Sequence, residues 1–302
     1  MAEPRLDHVL TYAEAGAIDE HLETYRTAGF HVAGRTARHR GGVRTGFVHF
    51  GPEYLECVWV EDEAEFAAGH PRMPALTDPG LRRAHRPFGI GLLVDDVPAQ
   101  HADWTARGHA LPPLFHERPP GAPADAPPAL TLQAVPEELL PGALCFALAY
   151  HFDAKPARVV VPPNTVYGLA GVTFVSAEPQ GRARRWRDVL APGAQVSAAG
   201  TAFTLGPHRL RWLTPGQLEA ELGQAWEPAA HGRVEITAVE VLAERIDRAE
   251  ELIGRTGLPI ARLQGSRVEA RLVVGPGPLD GVVLAITERP AAAWAAERGL
   301  SL

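Results

Sequence analysis

A chain of 302 residues, 46% hydrophobic and 22% charged, can bury a sizeable core and holds two average domains or one large one. Its formal net charge of −7 argues against nucleic acid as a partner, because a phosphate-tracking surface needs a basic excess. Two cysteines, Cys57 and Cys145, are too few for a disulfide framework or a cysteine zinc site, and no apolar run approaches the roughly 20 residues of a membrane span; a reducing cytoplasm is the expected setting.

Along the chain one pattern recurs four times: an apolar strand, an amphipathic helix, then short strands. Glu3, Arg5 and Asp7 interrupt the start, so no secretory leader is expected before the first copy. That copy reads LDHVLTYA, then the helix IDEHLETYRTAGF, then GVRTGFVHF and YLECVWVED. Ile18, Leu22 and Tyr25 recur at helical spacing, and Gly29 stops the helix. In the last strand, Tyr54, Glu56 and Val58 face one way and Leu55, Cys57 and Trp59 the other. The second set is the more apolar and should pack on the helix, leaving Glu56 on the concave face of the sheet. The same alternation puts Leu6, His8 and Leu10 of the first strand on that face.

The second copy reads FGIGLLVDD, VPAQHADWTARGH, PALTLQAV and GALCFALAYHF, with a Pro/Ala-rich loop at 116–128. Arg82, Arg83 and Arg86 precede it and read as a solvated surface. The third copy reads LAGVTFVSA, PQGRARRWRDVL, TAFTLG and HRLRWLTP, and 216–232 combines a short helix with a linker. The fourth reads ITAVEVLAE, RIDRAEELIGRTG, VEARLVVGP and GVVLAITER, with GPGPLDG at 275–281 as a hairpin turn. The join between halves falls near VVVPPNTVYG. We therefore expect an α+β chain of four βαβββ modules paired into two half-barrels, residues 1–158 and 159–302. Helical His21 and His101 are expected to be solvated, and Trp59, Trp104, Trp186 and Trp212 to be core or interface residues, not ligand platforms.

A histidine on the first strand and a glutamate on the last strand of one module, here His8 and Glu56, resembles the signature of the vicinal-oxygen-chelate superfamily. RHRGGVRTGFVHFGPEYLEC is similar to a stretch of its glyoxalase-like branch, with His39 on the family's histidine and Thr45 where many relatives carry asparagine. PPNTVYGLAGVTFVSAEP is similar to the branch's HPN-type stretch, with Pro162 replacing histidine and Asn164 keeping asparagine.

The resemblance implies a divalent metal, Fe, Mn, Ni or Zn, held by histidine and carboxylate from two paired modules. His8 and Glu56 are the first half of such a set. In the second module Gly89 and Ala149 fall near the corresponding positions and cannot ligate. His151, beside Ala149, becomes a ligand if a one-residue strand shift or a bulge turns it inward. Glu56 and His39 are the expected catalytic groups; His39, Tyr54 and Asn164 are the expected substrate contacts. The implied function is a metal-dependent lyase, isomerase or dioxygenase for a small molecule with vicinal oxygens. The alternative is a metal-free protein that binds or sequesters a small molecule in the same cup. Modules three and four offer Gly171 and Thr237 at the first-strand position, and are expected to be structural or to form a homodimer face.

Overall fold

The computed structural model describes residues 3–13, 18–39, 41–68, 82, 87–118, 122–123, 125–152, 158–222, 235–265, 268–275 and 282–302. Residues 276–281 of the hairpin turn expected at 275–281, Arg83, Arg86 and most of the 216–232 linker lie outside these residues.

The first module runs β1 (Arg5–Tyr12), α1 (Ile18–Thr27), β2 (His31–Val32), β3 (Ala37–His39), β4 (Val43–Phe50) and β5 (Glu53–Val60), followed by the short α2 (Glu63–Ala67). The second runs β6 (Pro87–Leu93), α3 (Val97–Ala106), β7 (Phe115–Glu117), β8 (Leu130–Val135) and β9 (Leu144–Tyr150). The third runs β10 (Val166–Val175), α4 (Pro179–Leu190), β11 (Ala202–Leu205) and β12 (His208–Leu213), and α5 (Pro215–Leu222) follows it. The fourth runs β13 (Ile236–Ala243), α6 (Ile246–Gly254), β14 (Ile260–Gly265), β15 (Val268–Val274) and β16 (Leu284–Glu288), and α7 (Ala291–Glu297) closes the chain.

The modules pair by one rule. Each opening strand lies parallel to the closing strand of its own module, as β1 does with β5 and β6 with β9. The two opening strands of a pair then meet antiparallel, β1 with β6 and β10 with β13. The result is a nine-stranded sheet from modules one and two and a seven-stranded sheet from modules three and four. The chain is thus α+β, with modules paired into two half-barrels.

The helices cover one face of each sheet because their apolar stripes have no other place to go. Ile18, Leu22 and Tyr25 of α1, Trp104 of α3, Trp186 of α4 and Ile253 of α6 join inner strand residues in a core that is continuous between the two halves. Trp104 donates its indole N–H to Val189 O at 2.9 Å, and Trp186 donates to Pro141 O at 3.1 Å, so each half caps a carbonyl of the other. His21 departs from expectation: it is buried, edge-on against Tyr25 at 5.2 Å, because α1 lies deeper than its polar pattern suggests. No helix among the described residues is long and apolar enough to cross a membrane.

The opening strand also departs from simple alternation. Register shifts between Leu6 and His8 opposite β6, the mark of a bulge. Leu6 consequently packs with the helices, while Leu10 joins the apolar cluster on the concave side.

Candidate active site in the first cup

The concave face of the nine-stranded sheet holds a cavity of about 270 Å³. Its walls are largely apolar, with Phe47, Leu130, Leu132, Phe146 and Leu148 among them, and its polar groups include His8, Glu56, Tyr54, Tyr150 and His39. β1 and β5 bring the central pair together. Leu10 is the register partner of Glu56 and His8 that of Tyr54, so His8 and Glu56 stand diagonally on adjacent parallel strands. His8 Nε2 lies 3.3 Å from Glu56 Oε2, with both side chains more than nine-tenths buried.

Asp7, brought round by the bulge, holds the other side of the ring. Its Oδ2 lies 2.8 Å from His8 Nδ1 and accepts the Tyr150 hydroxyl at 3.0 Å. A carboxylate in that position can only accept, so the Nδ1 proton points at Asp7 and Nε2 is the ring atom presented to Glu56. Among the described residues no hydrogen bond satisfies Nε2, although Glu56 is within ion-pair distance. Tyr54 OH is 2.8 Å from Tyr150 OH, and because Tyr150 donates to Asp7, Tyr54 donates to Tyr150. Burial, reinforced by the nearby Asp7 charge, pushes both phenols well above the ordinary tyrosine range, so they remain neutral donors. Tyr54 also stacks on His8, with ring centroids 4.8 Å apart and planes 15° from parallel.

His39 sits at the rim. Its Nε2 lies 3.1 Å from Thr45 Oγ1, and its Nδ1 lies 3.3 Å from Glu117 Oε1 on β7. Thr45 is therefore the partner of His39. The cup thus gathers His8, His39, Tyr54 and Glu56 in one place.

His151 and Asn164 are elsewhere. On β9 it is Phe146, Leu148 and Tyr150 that face the cavity, while Cys145, Ala147 and Ala149 pack on the helix side. Ala149 is therefore not the counterpart of Glu56, and no bulge turns His151 inward. His151 is exposed beyond the end of β9, its Nε2 2.8 Å from Thr131 Oγ1. Asn164 is fully buried at the joint between halves. It donates to Ala28 O at 3.0 Å, accepts from Val166 N at 3.0 Å, and so ties the end of α1 to the start of β10.

The pairing registers identify the true counterparts. His8 pairs with Gly91 and Leu10 with Gly89, so the pseudo-two-fold axis carries His8 onto Gly89. Glu56 pairs with Leu10, and Phe146 pairs with Gly91, so the same axis carries Glu56 onto Phe146. A two-module ligand set would read His8, Glu56, Gly89, Phe146, which supplies only two donors. Among the described residues no group of three or more His, Cys, Asp or Glu could hold a metal ion. The donor set therefore does not fit a protein-held divalent metal, which needs three or four ligands.

Gly91 has a further role. A Cβ built there would lie 2.2 Å from His8 Cε1, so only glycine lets the imidazole lie across β6. Gly91→Ala is expected to displace the His8 ring and lower stability by about 1–3 kcal/mol, the usual cost of overpacking. Urea unfolding, with the His8 ring resonances as a local reporter, measures both effects; unchanged resonances would contradict the packing argument.

Asp7, Tyr150 and Phe146 were not legible as site residues. Tyr150 had a signal, since it shares side-chain parity with Phe146 and Leu148. Asp7 had none, because alternation places it opposite His8.

A family model described as a glyoxalase-like domain matches residues 6–190. No curated protein matches the sequence. Among solved structures, catechol 2,3-dioxygenase superposes with a TM-score of 0.55 at 12% identity, covering 96% of this chain and 90% of that one. A hypothetical protein from Staphylococcus aureus gives 0.53 at 9% identity, covering 95% and 100%. A mutant of 4-hydroxymandelate synthase from Streptomyces coelicolor gives 0.51 at 14% identity, covering 99% of each chain. At these identities the likeness is one of fold: all share the paired-module architecture described above.

Proposed function

The chain belongs to the glyoxalase-like domain family, within the vicinal-oxygen-chelate fold, and on that premise we propose that its first cup binds a small molecule without a protein-held metal centre. The observation that carries the reading is the occupation of the second-module positions by Gly89 and Phe146, which leaves one half of a ligand set inside an apolar wall. A cavity of about 270 Å³ suits a single ring or a short branched chain. His8, Glu56 and Tyr54 meet on one side of the cup, with His39, Glu117 and Arg118 also on its wall; the ligand of this reading sets its oxygens against His8 and Glu56 and its apolar body against the leucines and phenylalanines. Tyr54, stacked beside His8, and Phe47 and Phe146 favour an aromatic body.

His8 is held by Asp7 through Nδ1, and this fixes the direction of its free nitrogen. Nε2 and the Glu56 carboxylate can share or exchange a proton with a ligand hydroxyl or an acidic C–H placed between them. His39 and Glu117 close the rim from two modules and screen that exchange from water.

The metal-dependent lyase, isomerase or dioxygenase reading rests on the same convergence of His8 Nε2 and Glu56. It needs at least one further donor that the cup does not supply. Elemental analysis of untagged protein, with calorimetric titration of catechol as a ring bearing vicinal oxygens, decides between the two readings. We expect substoichiometric metal and saturable catechol binding that EDTA leaves intact. A full equivalent of metal that is lost on Glu56→Gln would overturn the proposal. The setting we propose is a reducing cytoplasm, consistent with a chain whose two cysteines, Cys57 and Cys145, are both buried. The division at 1–158 and 159–302, and assembly as a homodimer without nucleic acid, belong to the same proposal.

A further inference from the structure

The second cup is filled, and what fills it is informative. On the concave face of β12, β13 and β15 stand Arg211, Glu240 and Arg271, with Arg209 beside them. Glu240 is satisfied by its own sheet. It accepts from Arg211 Nε at 2.5 Å, Thr173 Oγ1 at 2.7 Å and Arg209 Nη2 at 2.9 Å. A second carboxylate comes from outside the sheet. Glu221, near the end of α5, accepts from Arg211 Nη1, and its Oε2 lies 3.7 Å from Arg271 Nη1. The helix that carries it packs Leu218 and Leu222 against Leu213, Ala238, Val273 and Ala285.

A network that served only to hold the sheets together should pair its buried donors. This one does not. Among the described residues Arg211 Nη2 and Arg271 Nε are buried without a hydrogen-bond partner, and the Arg211 side chain is only 7% exposed. Among the described residues three guanidinium groups face two carboxylates. We propose that the second cup is a binding site for a small carboxylate, and that α5 plugs it, with Glu221 standing where the ligand carboxylate goes. Swinging Glu221 out exposes both orphan donors and Arg211 Nη1 to the incoming group, and a bidentate carboxylate can satisfy more of them than Glu221 does. Burial, helped by the like charges of Arg211 and Arg209, pulls Arg271 below the ordinary guanidinium range against the opposing pull of Glu240 and Glu221. This site is separate from the first cup and does not depend on what that cup binds.

The test follows the Nε–H resonances of Arg211 and Arg271 in ¹⁵N-labelled full-length protein as sodium acetate is added at constant ionic strength. Removing the internal competitor with Glu221→Gln should leave the fold intact, since that side chain is one-third exposed. The expected result is saturable shifts of both resonances, with a midpoint at least about tenfold lower in Glu221→Gln than in the parent chain, a factor of about 1.4 kcal/mol. Arg271→Gln should abolish the saturable shift of Arg211. Equal midpoints in parent and Glu221→Gln, shifts that never saturate, or a response to phosphate but not to acetate would each overturn the proposal.

Discussion

Glu240→Ala is expected to lower the unfolding free energy by about 3–5 kcal/mol, the cost of removing one partner from a buried ion pair. The carboxylate it deletes is nine-tenths buried and accepts from two arginines and a threonine. Without it Arg211 keeps only Thr173 and Glu221 as partners, in a site too buried for water to take over. The same interaction has a pH signature. Burial alone would raise the carboxyl pKa, but Arg211, Arg209 and the Thr173 hydroxyl outweigh it and hold the group at about 2, against an ordinary 4.5. A folded value below the unfolded one stabilises the protein above the unfolded pKa and is lost as pH falls through the folded one. The shift corresponds to about 3 kcal/mol, present in full above roughly pH 5 and lost progressively towards pH 2. Urea unfolding across that window should find the gap between parent and Glu240→Ala wide at neutral pH and narrowing with acid. A gap that stayed constant down to pH 2 would mean that the carboxylate's charge is not what stabilises the fold.

That network also marks where reading from sequence stopped. HRLRWL announces two arginines on one face of a strand, and ITAVEVLA a glutamate inside an apolar run. Neither announces the other, because β10 lies between β12 and β13 and supplies only Thr173 to the contact. The expectation that the second pair of modules is merely structural came from counting His, Asp and Glu at single strand positions, and arginines were outside that count. The first cup was more legible for a local reason. His8 and Glu56 lie on strands of one module, each with clear alternation, and parallel pairing of first and last strand places them two register positions apart. Legibility failed at β9, LCFALAY, where both faces are apolar and period-two alternation carries no sign of which face is inward. There the structure decides by size: the large Phe146, Leu148 and Tyr150 face the cavity, and the small Cys145, Ala147 and Ala149 lie under the helices. The bulge after Leu6 is likewise set by pairing with β6, a strand more than 80 residues away in sequence.

Glu56→Gln is expected to weaken binding of a ligand with vicinal oxygens by about 10- to 100-fold while changing stability by no more than about 1 kcal/mol. The asymmetry follows from how the two halves of the pair are held. His8 is anchored independently of Glu56, by Asp7 at Nδ1, by stacking on Tyr54 and by the space that Gly91 leaves for it. Removing the charge at position 56 therefore does not release the ring, and the amide keeps an oxygen at nearly the same place. The ligand loses a charged hydrogen-bond acceptor in an apolar cup, worth about 1.5–3 kcal/mol, which is the stated loss in affinity. Calorimetric titration of catechol and urea unfolding on the same preparation give both quantities. If Glu56 were only the structural partner of His8, the substitution would weaken the contact that holds the buried Nε2. Stability would then fall by several kcal/mol while affinity held. That pattern, a less stable protein with unaltered binding, would remove Glu56 from the site and with it the assignment of the cup as the place where ligand is recognised. The neighbouring Tyr54→Phe variant separates the contributions further: it deletes the hydroxyl that donates to Tyr150 but keeps the ring stacked on His8. Loss of affinity in Glu56→Gln with little loss in Tyr54→Phe places the ligand's oxygens on the His8–Glu56 side of the cup, and the reverse order places them on the phenol side.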